Sequence, residues 1–508
     1  MSTIGSPHGD PSALSRAEVH ETHAATVVLI GDRAYKVKKC VDLGFLDFST
    51  PGARRTACEQ EVALNRRFAP DVYEGVAELY APWSGPPEPV VVMRRMPSDR
   101  RLAHLVSVGV PVDDALRQIA RLLATAHAKS PRGAEISAQG TRDALLGRWQ
   151  ANLQSAEHAG EEQGLRGIAD IDREVRRYLE GRQALFDLRI REERVVDGHG
   201  DLLAQDVFCL DDGPRVLDCL EFDDKLRYVD GLDDAAFLAM DLEQLGAPGA
   251  GKFFLARYSE YSGDPAPPSL RHHFVAYRAF VRAKVSLFQA QQGAHGARQA
   301  ADRLADMTLR HLRNSSVRLI LVGGLPLSGK STLAAALADR LGLTLLSSDR
   351  TRKELAGIQP ERSAAAPFET GIYTPEWTTR TYGELINRAR RLLSLGESVV
   401  IDATWSSQER RDAASEAARL CSADLVSLKC QIPRGVADDR LRHRAPGPSD
   451  ADSDVLAALA AKAAPWPEAA IVDTSGTLGA ATERAMAVLR PDDIERTGLF
   501  RRPYMEPD

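Results

Sequence analysis

Gly324-Leu-Pro-Leu-Ser-Gly-Lys-Ser331 is the stretch on which the reading of this chain turns. It satisfies every fixed position of the pattern G-x-x-x-x-G-K-[ST]. The apolar run Leu319-Ile-Leu-Val322 before it reads as a buried strand, and Thr332-Leu-Ala-Ala-Ala-Leu337 after it reads as a helix. Glycines let the backbone turn its N–H groups inward around phosphate oxygens, and the following helix aims its positive end at the same place. A lysine at position 330 reaches terminal phosphates, and the hydroxyl of Ser331 is suited to holding Mg²⁺. Gly324, Ser328, Gly329, Lys330, Ser331 and Thr332 are therefore the expected nucleotide-binding set. A chance glycine-rich turn would have to reproduce strand, loop, Lys-Ser pair and helix together.

Outward from this loop, Leu343–Ser347, Ser398–Ile401 and Asp424–Cys430 are short apolar strands set between helical stretches. That alternation predicts a parallel sheet covered by helices, an α/β P-loop domain. Ligands in such sheets bind at the carboxyl ends of strands. Asp349 follows one such end and is placed to take the proton of an acceptor hydroxyl. Asp402 ends another and is suited to ordering Mg²⁺ and its waters. Arg440, Arg442 and Arg444 lie close together, as a clamp on a transferring phosphoryl would. Helix-capping aspartates and a solvated basic helix face are the plain alternatives for these three features.

Ser348-Asp349-Arg350-x-Arg352, Ile401-Asp402-Ala403-Thr404, and Arg440-Leu441 with Arg444 give residues 317–490 a resemblance to small P-loop kinases. These include the kinase module of polynucleotide kinase, gluconate kinase and zeta-toxin-like enzymes. The resemblance implies ATP, Mg²⁺ and transfer to a hydroxyl of a small acceptor. It makes Asp349 the acceptor-activating base and the 440–444 arginines a lid.

The first half carries a different set of signals. Thr26–Ile30, Gly31-Asp32 and Ala34–Lys38 read as a β-hairpin, because Gly-Asp between apolar runs is a turn signal. Pro51–Phe68 reads as a helix with Thr50 as cap, and Glu88–Met93 as a strand. His199-Gly-Asp201 follows the apolar Val195-Val196 and precedes the strand-like Val207–Leu210, and Val216-Leu-Asp218 ends another strand. A loop carboxylate with a second on the next hairpin is the layout of kinase-like folds, one Asp at the acceptor hydroxyl and one on Mg²⁺. Their partners stand in order upstream: Lys36 for the α- and β-phosphates, with Lys38 and Lys39 as rivals; Glu61 to fix that ammonium, with Glu59 as rival; and Val90–Met93 leading to an adenine hinge.

On His199-Gly200-Asp201, Leu217-Asp218, Tyr35-Lys-Val-Lys-Lys39 and Gly44-Phe-Leu-Asp-Phe48, residues 20–310 resemble aminoglycoside phosphotransferase-like kinases, in particular uncharacterised members fused to a P-loop kinase. The resemblance implies Asp201 as the catalytic carboxylate and Asp218 on the metal. Five residues after the catalytic Asp that family usually has Asn, where Asp206 stands here. A carboxylate still binds Mg²⁺, although Asp201, Asp206 and Asp218 repel one another. The acidic run Asp223, Asp224, Asp230, Asp233, Asp234, Asp241 and Glu243 reads as a solvated helix face rather than a site for a cationic acceptor.

At 508 residues the chain is too long for one ordinary core. The expected architecture is a lead-in (1–20), an α+β protein-kinase-like domain with a small β lobe and a helical lobe (21–312), a P-loop kinase domain (313–490) and a tail (491–508). A net charge of −6 argues against long nucleic acids as partners. Six cysteines without a C-x-x-C pair predict reduced, mostly buried thiols. No apolar run spans a bilayer and the first residues do not read as a secretory signal, so a cytoplasmic protein is expected. The function expected is a bifunctional ATP-dependent kinase acting on hydroxyls of small, sugar-like molecules at two Mg²⁺–ATP sites. A nucleotide- or ligand-sensing first half, and a nucleotide-switch or toxin-like second half, are the alternatives.

Overall fold

The computed structural model describes residues 17–21, 24–42, 47–80, 87–158, 164–359, 370–442, 461 and 463–489. Arg444, residues 44–46 of the first-half motif and the tail 491–508 lie outside these. The chain forms two compact units, residues 1–139 with 193–264, and residues 140–192 with 265–508. They divide the chain elsewhere than the boundary expected at 312/313, because helices from the middle of the sequence belong with the P-loop sheet.

In the first unit an antiparallel sheet has the order β1-β2-β3-β5-β4, from Glu18–Glu21, Ala25–Ile30, Arg33–Lys38, Tyr73–Leu79 and Glu88–Arg94 (β1 to β5). Ile30 pairs with Arg33 across Gly31-Asp32, and Gly31 takes a φ of +59°. Only such a left-handed turn closes a two-residue hairpin without splaying its strands. Thr50 Oγ1 accepts the N–H of Ala53 and opens the helix Pro51–Asn65, whose first turn tolerates the proline. Cys58 and Val62 from this helix pack with Ala34, Val91 and Met93 of the sheet. Two edge strands were not expected. β1 reaches into the supposed lead-in, and its Glu-Val-His-Glu is wholly exposed, so no apolar pattern announces it. β4 carries a register shift between Tyr73 and Gly75 that breaks the alternation.

Two short two-stranded antiparallel sheets follow. Val195–Asp197 (β6) pairs with Tyr228–Asp230 (β9), and Val207–Leu210 (β7) with Gly213–Val216 (β8). The helix Gly231–Gln244 then runs through the interior of this unit, buried from Gly231 through Met240. At Asp230, Asp233 and Asp234 the acidic run is therefore not a solvated face, while Asp224 is exposed. Asp230 is 6 % exposed and Asp233 and Asp234 are 0 % exposed. Buried carboxylates need partners, and Asp230 finds one by accepting the Leu232 N–H at the helix start.

In the second unit the sheet is parallel, with the order β11-β12-β10-β13-β14, from Arg318–Gly323 (β10), Thr344–Ser347 (β11), Val399–Asp402 (β12), Asp424–Gln431 (β13) and Ala470–Asp473 (β14). Ile320, Val322, Val400 and Leu428 pack against Leu333 and Leu337 of the helix Lys330–Leu341 and Ala485 and Met486 of the helix Leu478–Leu489. After β10 the chain builds first on one side of that strand and then on the other. A crevice at such a switch point, beyond the carboxyl ends of the strands, is where these sheets bind ligands.

The helices Arg142–His158, Ile168–Glu180, Gln183–Arg191, Pro268–Gln291 and Ala297–Asn314 belong to the same unit. Arg182 ties the first group to the sheet's helices. It is 0 % exposed, and its Nη1 donates to the carbonyls of Gly181 (2.7 Å), Leu393 (2.9 Å) and Cys421 (2.8 Å). Leu393 and Cys421 lie at the C-terminal ends of the helices Pro375–Ser394 and Gln408–Leu420, where positive charge is favoured. Arg182→Met leaves those buried carbonyls unsatisfied and is expected to destabilise this unit by about 3 kcal/mol. Thermal unfolding of the full chain checks this, and an unchanged midpoint would contradict it.

Candidate active sites

The P-loop leaves β10 through two backbone positions that require glycine. Gly324 has a φ of +144°, and a Cβ there would meet Ser328 Oγ at 2.5 Å and the Cys430 carbonyl at 2.8 Å. Gly329 has a φ of +82° and opens the helix carrying Lys330, Ser331 and Thr332. A cavity of about 340 Å³ lies against Gly329, Lys330, Ser331, Thr332, Arg440 and Gly476. Leu327 also takes a positive φ, +67°. Its carbonyl accepts from Arg440 Nη1 at 3.0 Å, while Arg440 Nη2 donates to the Thr474 carbonyl at 2.6 Å. The hydroxyl of Thr474 donates to the Ser328 carbonyl. Arg440 thus pins the P-loop to the turn after β14, while Arg442 is paired with Asp439.

Val322, Asp402 and Ser347 stand in one row across β10, β12 and β11. Asp402 is buried, and burial raises its carboxyl pKa against the opposing pull of Lys330, Ser331 and Ser347. Its Oδ1 and the Ser328 hydroxyl are buried with no hydrogen-bond partner among the described residues. A Mg²⁺–triphosphate suits this set: inward backbone amides, one ammonium, one hydroxyl and one buried carboxylate oxygen still to be satisfied. Asp349 lies two residues past β11, in the first turn of the helix Ser348–Leu355. Its Oδ1 accepts from Tyr373 Oη at 3.3 Å, and Oδ2 lies 3.3 Å from the fully buried Lys353 ammonium. Arg352 donates to Thr378 Oγ1 and the Ile372 carbonyl, its guanidinium over the Tyr373 ring. Thr474, Tyr373 and Lys353 had no signal in the sequence beyond their residue types.

The first unit brings together residues from three distant segments. Lys36 Nζ on β3 lies 2.6 Å from Asp218 Oδ1 and 2.9 Å from Glu61 Oε1. Glu61 is wholly buried, and its Oε2 lies 2.6 Å from the ammonium of Lys38, which also pairs with Glu221. Burial works against the Lys36 ammonium, yet Asp218 and Glu61 outweigh it and hold its pKa well above the usual lysine range. Burial likewise opposes the Glu61 carboxylate, and Lys36 and Lys38 together keep it below its ordinary value. Lys36, chiefly, lowers Asp218. Lys39 turns instead to Glu21 at the sheet edge. Met93 is buried in the core of the small sheet.

Asp218 has a φ of +65°, a strained setting for a residue with a Cβ, and Tyr73 Oη accepts its N–H at 3.2 Å. The Leu217 N–H donates to the Asp206 carbonyl at 2.9 Å, joining the two candidate metal carboxylates through the backbone. Asp206 is raised well above the carboxylate range by burial, then by Asp218 and Asp201. A divalent cation would relieve that repulsion, although among the described residues no three His, Cys, Asp or Glu side chains are grouped closely enough to hold a metal ion.

The His199-Gly200-Asp201 loop is held from below by Asp234. Its Oδ2 accepts the His199 N–H at 2.7 Å, and its Oδ1 accepts the Gly200 N–H at 2.9 Å. His127 Nε2 lies 2.9 Å from the same carboxylate, and its Nδ1 lies 2.9 Å from Tyr258 Oη. Burial opposes the Asp234 charge, but these partners drive its pKa far below the usual range. His199 is buried, and that burial lowers its pKa; its Nε2 lies 3.0 Å from the Leu217 carbonyl. Arg67 donates to the Asp197 and Gly198 carbonyls. Asp234 stands directly before the apolar run Ala235–Met240, and it was read with the rest of the acidic run as solvated.

Comparison with known proteins gives three findings. A family model described as an AAA domain matches residues 319–466. The chain is 43% identical over 461 residues, 90% of its length and 92% of theirs, to the uncharacterized proteins Rv2004c of Mycobacterium tuberculosis and Mb2027c of Mycobacterium bovis. Among solved structures, a choline/ethanolamine kinase family protein from Mesorhizobium loti matches 60% of this chain and 94% of its own, at 15% identity and a TM-score of 0.38. An unliganded sugar kinase from Janibacter sp. HTCC2649 matches 34% of this chain and 94% of its own, at 21% identity and a TM-score of 0.27.

Proposed function

We propose, from the premise that this chain belongs to the same family as the Mycobacterium proteins it matches over 90% of its length, that it is a bifunctional ATP-dependent phosphotransferase. The kinase-like layout of the first unit and the P-loop α/β layout of the second support phosphoryl transfer. The finer reading is two Mg²⁺–ATP sites, each serving a hydroxyl of a small, sugar-like acceptor. The observation that carries it is the convergence of Lys36, Glu61 and Asp218, from separate elements, within 2.9 Å of one ammonium.

In the first site Glu61 orients Lys36, which faces the α- and β-phosphates. Asp218 and Asp206 would hold the metal, and Asp201 would accept the proton from the acceptor oxygen. In the second site the amides after Gly324 would cradle the phosphates, Lys330 would neutralise their outer oxygens, and Ser331 with Asp402 would hold the metal. Asp349 takes the acceptor proton there, and Arg440, by fixing the P-loop to the Thr474 turn, keeps the cradle shaped. Mg²⁺, when bound, neutralises charge on the phosphates. The placement is cytoplasmic, and no described helix is long and apolar enough to cross a membrane.

A second reading has one observation in its favour. Asp206 stands where the related kinases usually have Asn, and its raised pKa makes that position unusual. On this reading the first half senses nucleotide and governs the P-loop kinase. Acceptor-dependent ADP release, screened over sugars, amino sugars and nucleosides with each site disabled in turn, separates the two. Turnover that survives Lys330→Ala and is lost with Asp201→Asn supports two enzymes. Turnover that Lys330→Ala abolishes for every acceptor leaves the first half a sensor.

A further inference from the structure

We infer that Lys38 and Glu221 form a second, standing ion pair that keeps Lys36 available to nucleotide and holds the metal-binding loop against the phosphate-binding strand. The inference deepens the phosphotransferase reading of the first site and rests on it. Charges alternate along one line: Asp218, Lys36, Glu61, Lys38, Glu221. Lys36 and Lys38 are two residues apart on β3, so both point to the same face of the sheet. Glu61 is a single carboxylate with two ammoniums, one on each oxygen.

The two lysines differ in what the fold lets them do. Lys36 is bound to Asp218, a half-exposed carboxylate at the mouth of the site. Lys38 is 4 % exposed, lies over the Phe48 ring and pairs with Glu221. A binding phosphate competes for Lys36, and a metal competes for Asp218. Neither has a route to Lys38. The outer pair therefore opens when nucleotide arrives, while the inner one stays closed. Glu221 is three residues beyond Asp218 on the same loop, so the inner pair fixes the height at which Asp218 meets the metal.

Lys38 also settles what Glu61 does. With Lys38 on Oε2, only Oε1 remains for Lys36, and Lys36 is oriented without being captured. Without Lys38 the whole of a buried carboxylate turns on Lys36, whose ammonium is then drawn away from phosphate. Lys38 and Glu221 are positioning residues on this account. Their loss shows in nucleotide affinity before it shows in the chemical step.

The test uses the full chain carrying Lys330→Ala, so that nucleotide reports on the first site alone. Binding of a fluorescent ATP analogue with Mg²⁺, and KM and kcat for slow transfer to water, are measured for Lys38→Met, Glu221→Gln and the double variant. Glu221→Gln preserves shape and guards against a folding failure in Lys38→Met. The expected result is affinity and KM about tenfold or more worse in Lys38→Met, kcat within about threefold, and a smaller loss in Glu221→Gln. The double variant is expected to be no worse than Lys38→Met, because the two residues act as one. Unchanged affinity in both single variants, kcat falling as far as KM rises, or strictly additive losses would overturn the inference while leaving the first site intact. A Lys330→Ala parent that binds no nucleotide would overturn both it and the two-site reading.

Discussion

Lys330→Ala is expected to remove nucleotide from the P-loop site and with it about 10²–10³-fold or more of that site's transfer activity. The reason is electrostatic. The cradle offers backbone dipoles, but Lys330 is the full positive charge at the start of the helix, beside the buried Asp402. Without it, the guanidinium left against the cavity is that of Arg440, which is already engaged with the Leu327 and Thr474 carbonyls. Calorimetric titration of Mg²⁺–ATP into the variant should show one class of site lost and another kept. An unaltered isotherm would mean that the cavity beside Gly329 and Arg440 does not hold the phosphates.

Asp201→Asn is expected to lower transfer at the first site by about 10²–10⁴-fold, the usual worth of a positioned general base, with nucleotide affinity little changed. The loop carrying it is built for accuracy. Asp234 holds the amides of His199 and Gly200, Arg67 holds the carbonyls of Asp197 and Gly198, and His199 lies 3.0 Å from the Leu217 carbonyl, one residue before Asp218. Asparagine keeps the shape and loses the proton acceptor. Rapid-quench measurement of transfer, with Lys330→Ala in the background, reads this effect directly. A variant that transfers at the parent rate would remove Asp201 from the reaction.

Those two sites were unequally legible. The P-loop is written in the sequence because two of its positions call for glycine: Gly324 sits at a φ and at distances that exclude a Cβ, and Gly329 at a left-handed φ. His199-Gly200-Asp201 and Asp218 could be ordered along the chain because each ends or follows an apolar strand. Lys38 and Glu221 could not be paired in advance, since nothing in residues 38 and 221 taken separately says that they touch. The acidic run was misread for a related reason. Composition does not distinguish an aspartate dissolved in water from one buried under three partners, and Asp234 is the second kind. The missed strands β1, β4 and β14 are all at sheet edges, where half-exposed positions carry little apolar alternation.

The two-site claim is most directly tested by counting nucleotide. Equilibrium titration of the full chain with Mg²⁺–ATP should reach two molecules per polypeptide, one in the Lys330→Ala variant, one in Lys36→Ala, and none when both are changed. A single nucleotide per chain, abolished by Lys330→Ala alone, would contradict the account and leave the first unit without a phosphate site.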